Sequence, residues 1–417
     1  MIPIDEIKNH YGIEIALVVL CCRVHSKTEE GAALQIFCDG THPDWRRFLH
    51  LVSYHRIEPI IFKILGTIKN IPSDIVSQIK QKQLLLVQQN FKQALETERI
   101  IQLLKENGID CIPYKGVAFS KQFYGDIVSR ESSDIDVVVA PAGFTKVIRL
   151  MQQEGFSFEN RVEYNYFKTE IFRRKKGLSF NKYIGTRRES HIEFHWRITE
   201  NHLRVKTEAH SLLFDIGQPI EIAKESVRVI NPDSHFVAVL IHHALSDAFH
   251  VLRSLIDISR IAFSDSNTAD LDKVKDTLKK NQLTKAASMA CFLVEALIGV
   301  QLPIEAANAP RFTSRTKNYF VNQLLEIEKY GDFFKPSFYN SSVLFLKDSL
   351  ASRLSYLLAC FQLRFVPATK DIRIFNLPKR LRFLYAVLKP IRSLISPVSD
   401  EEEKKLAMDE DKNHINF

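Results

Sequence analysis

The chain has 417 residues, of which 45% are hydrophobic, 25% charged and 10% aromatic, and these fractions exclude an intrinsically disordered protein. Its 57 Lys and Arg against 49 Asp and Glu give a formal net charge of +8, which suits nucleic acid, nucleotides or an anionic membrane surface, and equally an ordinary solvated basic surface. At roughly 100–200 residues per domain this length predicts two to three domains, and the low glycine and proline content favours helices over a sandwich full of tight turns.

The N-terminal segment lacks the pattern of a signal peptide. Acidic residues precede its apolar stretch 15–22, whereas a signal peptide has a basic start and an uninterrupted apolar region. No apolar run reaches the roughly 18 residues of a spanning helix, because Glu295 interrupts the best candidate. The six cysteines include no CxxC pair and most lie in apolar runs, as thiols kept reduced do. We therefore expect a cytoplasmic protein.

The first hundred residues are predicted to be helical. Asp44 is a good N-cap, and apolar residues follow it at helical spacing. A longer helix is predicted over 73–107, where apolar residues form one broad stripe. This stripe ends at Gly108, a residue suited to the left-handed cap of a helix C-terminus.

The hydrophobic pattern then changes to that of short strands alternating with helices over about 110 residues, which is within the usual size of one domain. Strands are predicted at 109–114, 134–140, 164–173, 178–183 and 191–198, and helices at 116–124 and 142–154. After residue 215 the chain returns to long helical patterns, at 233–263, 270–300 and 315–330. The pattern predicts an α+β fold in which helical regions flank a small mixed sheet.

These changes in predicted secondary structure give the predicted domain boundaries. They are an N-terminal helical region 1–107, a mixed core 108–215, a helical domain 216–310, a C-terminal helical and basic region 311–398, and a disordered tail 399–417.

The sequence Asp134-Ile135-Asp136 opens the second predicted strand. Alternate residues of a strand share a face, so the two carboxylates project together while their apolar neighbours point into a core. Two carboxylates side by side repel each other, and they become favourable when a divalent cation lies between them. An edge strand that exposes two acids to water is the alternative interpretation.

Residues around this strand have the chemistry of a phosphate site. Gly116 lies between a strand and a helix, where backbone N–H groups can hold a phosphate. Lys115 and Arg130 flank the acids and can neutralise a polyphosphate. An ordinary turn at Gly116 and two solvated surface charges are the alternatives.

A third acid comes from the last predicted strand. Glu193 shares its face with His191 and His195, and apolar residues occupy the other face. Three acids on two strands are the ligands that two Mg²⁺ ions need in order to bind a triphosphate and activate an attacking hydroxyl.

Together these residues resemble the DNA polymerase β-like nucleotidyltransferase superfamily. More narrowly, PYKGVAFSKQFYGDIVSRESSDIDVVV and HIEFHWRI are similar to the uncharacterised bacterial nucleotidyltransferase family, which shows a Lys-Gly, a Tyr, an Arg, an Asp-x-Asp and an acid-x-His-Trp in this order. The flanking segments DWRRFLHLVSYHRIEPIIFKIL and LIHHALSDAFHVLRSLIDISRIAF also resemble that family. The resemblance covers roughly residues 40–265.

The resemblance implies a nucleotidyltransferase core with Mg²⁺ or Mn²⁺ as cofactor and an NTP as substrate. It assigns the metal and catalytic roles to Asp134, Asp136 and Glu193, and nucleotide contact to Gly116. Lys115 and Arg130 are the further nucleotide-binding candidates. Two departures stand out: Val117 replaces the serine that usually follows the glycine, and Glu193 replaces the more common Asp.

Two weaker patterns lie further along the chain. His243, Asp247 and His250 fall on one helical face and suggest metal ligands, a polar face that lines the cleft together with His195, or a satisfied core cluster. Asp257 follows and is expected to orient Arg253 or Arg260. The stretch 378–397 mixes basic and apolar residues, as a helix on an anionic membrane or a polyanion does, or as an amphipathic helix packed on the body does.

The sequence therefore leads to two hypotheses. The first is metal-dependent transfer of a nucleoside monophosphate from an NTP to an acceptor hydroxyl, with release of pyrophosphate; the acceptor is a small molecule, a sugar, a protein or an RNA end. The second is a non-catalytic module on the same fold that binds nucleotide or a partner, for which Val117 is the main support.

Overall fold

The computed structural model describes residues 1–395 except 67, 70, 265–268, 305–311 and 331–335, so the predicted tail 399–417 lies outside the described residues. Six helices precede the sheet. They are α1 (Ile4–Tyr11), α2 (Ile13–His25), α3 (Ala32–Thr41), α4 (Trp45–Tyr54), α5 (Glu58–Leu65) and α6 (Ser73–Glu106).

Two of these helices confirm the predicted boundary signals. Helix α4 begins after Asp44, whose side chain accepts hydrogen bonds from the backbone N–H groups of Arg46 and Arg47. Helix α6 is 34 residues long, and the chain leaves it through Gly108, which has a φ of +63°. A carboxylate at the N-cap satisfies N–H groups that lack an intrahelical partner, and a glycine takes the left-handed conformation without a steric penalty.

The middle of the chain forms a five-stranded mixed sheet, which confirms the α+β class. The elements in chain order are β1 (Cys111–Pro113), α7 (Gly116–Phe119), β2 (Ile135–Val139), α8 (Phe144–Gln153), β3 (Ser157–Phe158), α9 (Arg161–Phe167), α10 (Ile171–Arg174), β4 (Gly177–Ile184) and β5 (Arg187–His195). The strand order is β1-β2-β5-β4-β3. Strands β2 and β5 pair in parallel, and the other pairs are antiparallel.

The strand predicted at 164–173 is wrong, since this segment lies in α9, a short 3₁₀ turn and α10. Tyr164, Phe167 and Ile171 all contact the core behind the sheet, and their spacings of three and four residues are those of one helical face. The alternation taken for a strand is therefore a helical stripe interrupted by the 3₁₀ turn. The predicted strands at 109–114, 134–140, 178–183 and 191–198 are confirmed within a few residues.

Helices return after the sheet. A two-stranded sheet of β6 (Ile220–Ile222) and β7 (Glu225–Val227) lies between α11 (Thr207–His210) and the last ten helices. These are α12 (Pro232–Ile241), α13 (Leu252–Ala262), α14 (Leu271–Lys280), α15 (Thr284–Leu293), α16 (Ser314–Leu325), α17 (Ile327–Tyr330), α18 (Pro336–Leu346), α19 (Leu350–Leu363), α20 (Thr369–Phe375) and α21 (Tyr385–Ile395).

Three of the helical segments contain a π-helical turn, at Ser120–Tyr124, His242–Ser246 and Val294–Ile298. The long periodic segments 233–263 and 270–300 are not continuous helices, because non-helical turns at 247–251 and 281–283 interrupt them. A π turn adds one residue to the helical repeat, so side chains beyond it lie on a different face from the one that regular spacing predicts.

Two main hydrophobic cores hold the molecule together. The larger one joins α2, α4 and α5 to α12, α13 and α15, so helices from both ends of the chain share one interior. The smaller one lies behind the five-stranded sheet and contains the apolar residues of β2, β4 and β5. All six cysteines are free thiols, and five are buried. Among the described residues, no helix is both long and apolar enough to cross a membrane.

Candidate active site

The polar face of the five-stranded sheet is built by strands β2 and β5. Their parallel register places Asp136 opposite Glu193 and Val138 opposite His195. Ile135, Val137, Ile192 and Phe194 point to the other face and are buried in the core behind the sheet. Because side chains alternate along a strand, burying the apolar residues on one side gathers the acids and the histidines on the other.

Asp136, Glu193 and His195 form a tight cluster, with ligand atoms that all lie within 4.8 Å of one another. His195 Nε2 lies 2.7 Å from Asp136 Oδ1 and 3.3 Å from Glu193 Oε2. An imidazole N–H directed at two carboxylates joins them while leaving other carboxylate oxygens open to further ligands. Within the described residues, this cluster is one of two groups whose atoms are close enough for a metal ion.

Strand β4 pairs with β5 beside His195, with Gly177 directly opposite the histidine. A Cβ atom on Gly177 would lie 2.5 Å from the carbonyl oxygen of Phe194 and 3.2 Å from His195 Nδ1. Only glycine therefore fits beside the histidine, since real Cβ atoms do not approach backbone oxygen so closely. The imidazole is held in place by packing on one side and by the two carboxylates on the other.

Both clustered carboxylates are ionised at neutral pH. Burial raises the pKa of Asp136, but the hydrogen bond from His195 and the charge of Lys115 outweigh it and lower that pKa to about 2. Burial likewise raises the pKa of Glu193, and hydrogen bonds from His191 and His195 together with the charge of Lys176 bring it far below its usual range. The cluster is thus a pair of negative charges surrounded by cationic groups.

Two cationic side chains approach Glu193: His191, which the strand alternation places on this face, and Lys176, which the sequence alone did not identify. Lys176 Nζ lies 3.2 Å from Glu193 Oε2, and His191 Nε2 lies 3.6 Å from Glu193 Oε1. Lys176 lies in a basic loop that has the appearance of a solvated turn. Its position directly before β4 was the available signal, because the strand that follows pairs with β5.

Asp134 lies just before β2 and outside the cluster of Asp136, Glu193 and His195. Its carboxylate accepts a hydrogen bond from Ser133 Oγ at 3.0 Å. Burial lowers the pKa of His191, but the hydrogen bond to Glu193 and the charge of Asp134 outweigh burial and raise that pKa. Asp134 therefore lies close enough to His191 to act on its charge. Asp134 is therefore at the same edge of the site, with its side chain turned to the loop.

Gly116 and Lys115 lie beside β2, as the sequence predicts. The backbone N–H of Tyr114 donates to the carbonyl oxygen of Asp136 at 2.9 Å. Gly116 has a φ of +60°, and a Cβ there would lie 2.9 Å from Ser132 Oγ and 3.0 Å from the carbonyl oxygen of Asp134. Both the backbone conformation and the close approach require glycine.

Lys115 connects the sheet to the helical wall of the site. Burial lowers its pKa, while the charges of Asp136 and Asp247 both raise it, so the ammonium lies within reach of acids on both sides. The neighbouring Val117 is buried in a small apolar cluster with Ala94 and Val227. The side chain at position 117 therefore serves packing.

Arg130 is held in a buried ion pair. Its Nε and Nη2 donate to the two carboxylate oxygens of Asp257 at 2.9 and 3.0 Å, and Tyr124 donates to Asp257 at 2.8 Å. Asp257 was expected to orient Arg253 or Arg260, and the structure gives it Arg130 as partner. The role of Arg130 in nucleotide binding stays a prediction, and its observed contact is structural.

The π turn His242–Ser246 forms the other wall. His243 Nδ1 lies 3.0 Å from Asp247 Oδ2, and its Nε2 lies 3.3 Å from Asp257 Oδ2. His242 Nε2 lies 3.4 Å from the same Asp247 oxygen. His242, His243 and Asp247 are the second group close enough for a metal ion in the described chain, but both ring nitrogens of His243 already face carboxylates.

The predicted trio of His243, Asp247 and His250 does not form, because the helical segment ends at Ser246 and the chain turns at positive φ before it reaches His250. His250 Nδ1 interacts with the backbone oxygen of Asp247 at 2.7 Å, and His242 approaches the carboxylate instead. The π turn brings His242 to Asp247, because its i to i+5 repeat replaces the i to i+4 repeat of an α-helix. The sequence could therefore not identify His242 as a site residue, since no residue pattern distinguishes this π turn from a regular α-helical turn.

Comparison with known proteins agrees with this geometry. A family model described as "Uncharacterised nucleotidyltransferase" matches residues 41–299, a span that contains every site residue described above. No curated protein and no solved structure matches the chain.

Proposed function

We propose a specific reaction for this chain, which belongs to the uncharacterised nucleotidyltransferase family: transfer of a nucleoside monophosphate from an NTP to an acceptor hydroxyl. In this reaction the acceptor oxygen forms a bond to the α-phosphorus and loses its proton. The bond from that phosphorus to the bridging oxygen breaks, and pyrophosphate leaves. The observation that carries the proposal is the register pair Asp136 and Glu193 with His195 across two parallel strands.

The donor set fits a hard divalent cation. Asp136 and Glu193 are ionised, partly exposed and within 4.8 Å of each other, and Mg²⁺ or Mn²⁺ prefers carboxylate oxygen in sites that keep several waters. These two residues would hold the ion, with Asp134 at the head of the same strand. When bound, such an ion neutralises phosphate charge and lowers the pKa of the acceptor hydroxyl.

The residues around the acids have matching roles. His195 donates to Asp136 and fixes the direction of its carboxylate. Lys115, between the acids of the two walls, supplies positive charge for the triphosphate, and the start of the helix at Gly116 presents backbone N–H groups that lack intrahelical partners. Lys176 offsets the charge of Glu193 until a nucleotide arrives.

The direct test is incubation with each labelled NTP and Mg²⁺ in the presence of the acceptor classes named above: small hydroxyl compounds, sugars, proteins and RNA ends. We expect labelled acceptor and pyrophosphate in equal amounts with at least one combination. Saturable NTP binding without transfer to any acceptor would contradict the reaction.

The second hypothesis, a non-catalytic nucleotide-binding module, makes a different prediction. The buried position of Val117 favours it, since the side chain that usually contacts phosphate is used for packing. A binder needs Lys115 but not both acids. If Asp136→Asn retains cellular function and Lys115→Ala loses it, the module binds nucleotide without catalysis; the reaction proposed above requires both variants to lose function.

A further inference from the structure

The C-terminal segment 350–395 combines two unusual features. The first is apolar exposure: twelve of the 24 exposed large hydrophobic side chains of the described chain lie in this segment. Most of the twelve are aliphatic. They are Leu350, Leu354, Leu357, Leu358, Phe361, Leu363, Phe365, Ile374, Leu381, Phe383, Val387 and Ile391. Single exposed apolar side chains are ordinary, but their concentration in one segment marks a candidate interaction site.

The second feature is charge. The segment 350–395 contains nine Lys and Arg residues and one Asp, so its formal charge equals the +8 of the entire chain. The rest of the protein has 48 basic and 48 acidic residues and is neutral overall. The basic character read from the composition is therefore located in about a tenth of the sequence.

Helix α19 shows how the apolar side chains are displayed. Tyr356 and Ala359 are buried and attach the helix to the body, and the Tyr356 hydroxyl donates to Asn340 at 2.6 Å. Leu350, Leu354, Leu358 and Phe361 recur at spacings of three and four residues on the outward face. This is the stripe of an amphipathic helix with its apolar side turned to solvent.

The surface continues into the last helix. Lys389 on α21 donates to the carbonyl oxygen of Leu363 at the end of α19 at 2.7 Å, which ties the two helices together. In the 3₁₀ turn before α21, the exposed bases Lys379 and Arg380 directly precede the exposed Leu381. Exposed basic and apolar side chains are thus adjacent in this turn, and the helix that follows it is attached to the end of α19.

We propose that segment 350–395 docks the protein onto the surface of an anionic phospholipid bilayer. The apolar side chains enter the boundary between headgroups and acyl chains, and the lysines and arginines contact lipid phosphates. Single-stranded nucleic acid is a poorer match, because it needs stacking surfaces and nine of the twelve exposed side chains are aliphatic. A second copy is also a poorer match, since two faces of charge +8 repel each other.

The test is co-sedimentation of the full chain with vesicles of phosphatidylcholine and phosphatidylglycerol in a 3:1 ratio, against vesicles of phosphatidylcholine alone. We expect binding to the anionic vesicles at least tenfold stronger than to the neutral ones, and weaker binding at high salt. Leu354→Glu/Leu358→Glu should reduce binding at least tenfold, and Lys379→Glu/Arg380→Glu should remove most of the preference for anionic lipid.

A matched control exists on α6. Leu84 and Leu85 are 58% and 57% exposed, against 57% and 55% for Leu354 and Leu358, so Leu84→Glu/Leu85→Glu adds the same charge at the same exposure and should leave lipid binding unchanged. Leu354→Glu/Leu358→Glu and Leu84→Glu/Leu85→Glu should both keep nucleotidyl transfer in solution. A loss of lipid binding is thereby distinguished from a failure of the proposed reaction.

Three results would overturn the proposal. The first is equal binding to neutral and anionic vesicles, or no binding to either. The second is a dimer in lipid-free solution that Leu354→Glu/Leu358→Glu dissociates, which would make the surface an interface between copies. The third is RNA binding that is stronger than lipid binding and is abolished by Lys379→Glu/Arg380→Glu.

Discussion

Two buried acidic sites lie a short distance apart, and they differ in how completely their oxygens are satisfied. Asp257 is 0% exposed, and its oxygens take two bonds from Arg130 and one from Tyr124, with His243 beside them. Asp136 and Glu193 are 13% and 26% exposed; His195 is the hydrogen-bond donor between them, and Lys176 and His191 approach Glu193 alone. Both sites hold their carboxylates ionised.

The difference separates a carboxylate whose partners are all within the protein from two carboxylates with oxygens left for the ligands of the proposed reaction. A fully paired buried carboxylate has no lone pair to offer, and removing one partner leaves an uncompensated charge. A partly satisfied pair of acids near solvent repels itself and gains when a cation arrives. Low pKa alone does not distinguish these cases, whereas exposure and the number of donors do.

The largest effect is expected at the structural site. Asp257→Ala leaves Arg130 buried without its partner, so we expect a loss of about 3–5 kcal/mol in the free energy of unfolding, measured by urea denaturation. Arg130→Met/Asp257→Leu removes both charges and should recover much of that loss. A double variant less stable than Asp257→Ala would contradict the assignment of the pair as structural.

At the site of Asp136 and Glu193 the effect falls on activity. Asp136→Asn should lower nucleotidyl transfer by about 10³-fold, because a metal-ligand interaction of several kcal/mol is lost and each 1.36 kcal/mol is tenfold in rate. Pyrophosphate release measures this. Asp276→Asn, which changes an exposed acid elsewhere, should leave pyrophosphate release unchanged. Retained activity in Asp136→Asn would remove this site from the reaction.

Ligand-linked stability sharpens the comparison further. Mg²⁺ with NTP at a hundredfold excess over the dissociation constant should stabilise the wild type by about 2.7 kcal/mol, read as a rise in melting temperature. Asp136→Asn should remove most of that shift, because Asp136 is one of the two carboxylates that would hold the ion, whereas Asp134→Ala, outside that cluster, should weaken it less. Asp257 variants should keep the shift in whatever fraction remains folded. An unchanged wild-type melting temperature under all ligand conditions would contradict the metal site.

A smaller effect is expected at Gly116. Gly116→Ala places a side chain where φ is +60° and the nearest atom is 2.9 Å away, so it should cost about 1–3 kcal/mol of stability and displace the loop that carries Asp134. Gly125→Ala, also at positive φ but with nothing within 4 Å of its Cβ, is the matched control. Equal losses in both variants would mean that only the backbone conformation matters.

The pH dependence gives the smallest and most specific signal. Because the pKa of Asp136 is lowered to about 2 from an ordinary value of 3.8, its contribution to stability is complete above about pH 4. That contribution is lost as pH falls towards 2. Denaturation of wild type and Asp136→Asn between pH 2 and 6 measures the difference, and the two curves should converge at the acid end.

The sequence predicted the parts of the site that local rules determine. Strand alternation is sufficient to place Asp136, Glu193 and His195 on one face, and Gly116 stands where a tight approach needs glycine. It could not predict that Arg130 pairs with Asp257, since 127 residues separate them and no short-range pattern joins them. It grouped His250 with His243 and Asp247, because no local pattern showed that the helix ends at Ser246 and that a π turn brings His242 to Asp247 instead. It also predicted a strand for the helical stripe at 164–173.

The parallel pairing of β2 with β5 also sets an order of events during folding. Asp136 and His195 are 59 residues apart, and a parallel pair cannot form through a tight hairpin. The chain entropy lost on closing this loop therefore opposes the pairing until the contacts between the two strands have formed. Strands β4 and β5 form an antiparallel hairpin of neighbouring segments and can pair first. A folding intermediate in which β2 has not yet paired with β5 therefore holds Glu193 without Asp136, and the proposed cation site would form only when these two strands pair.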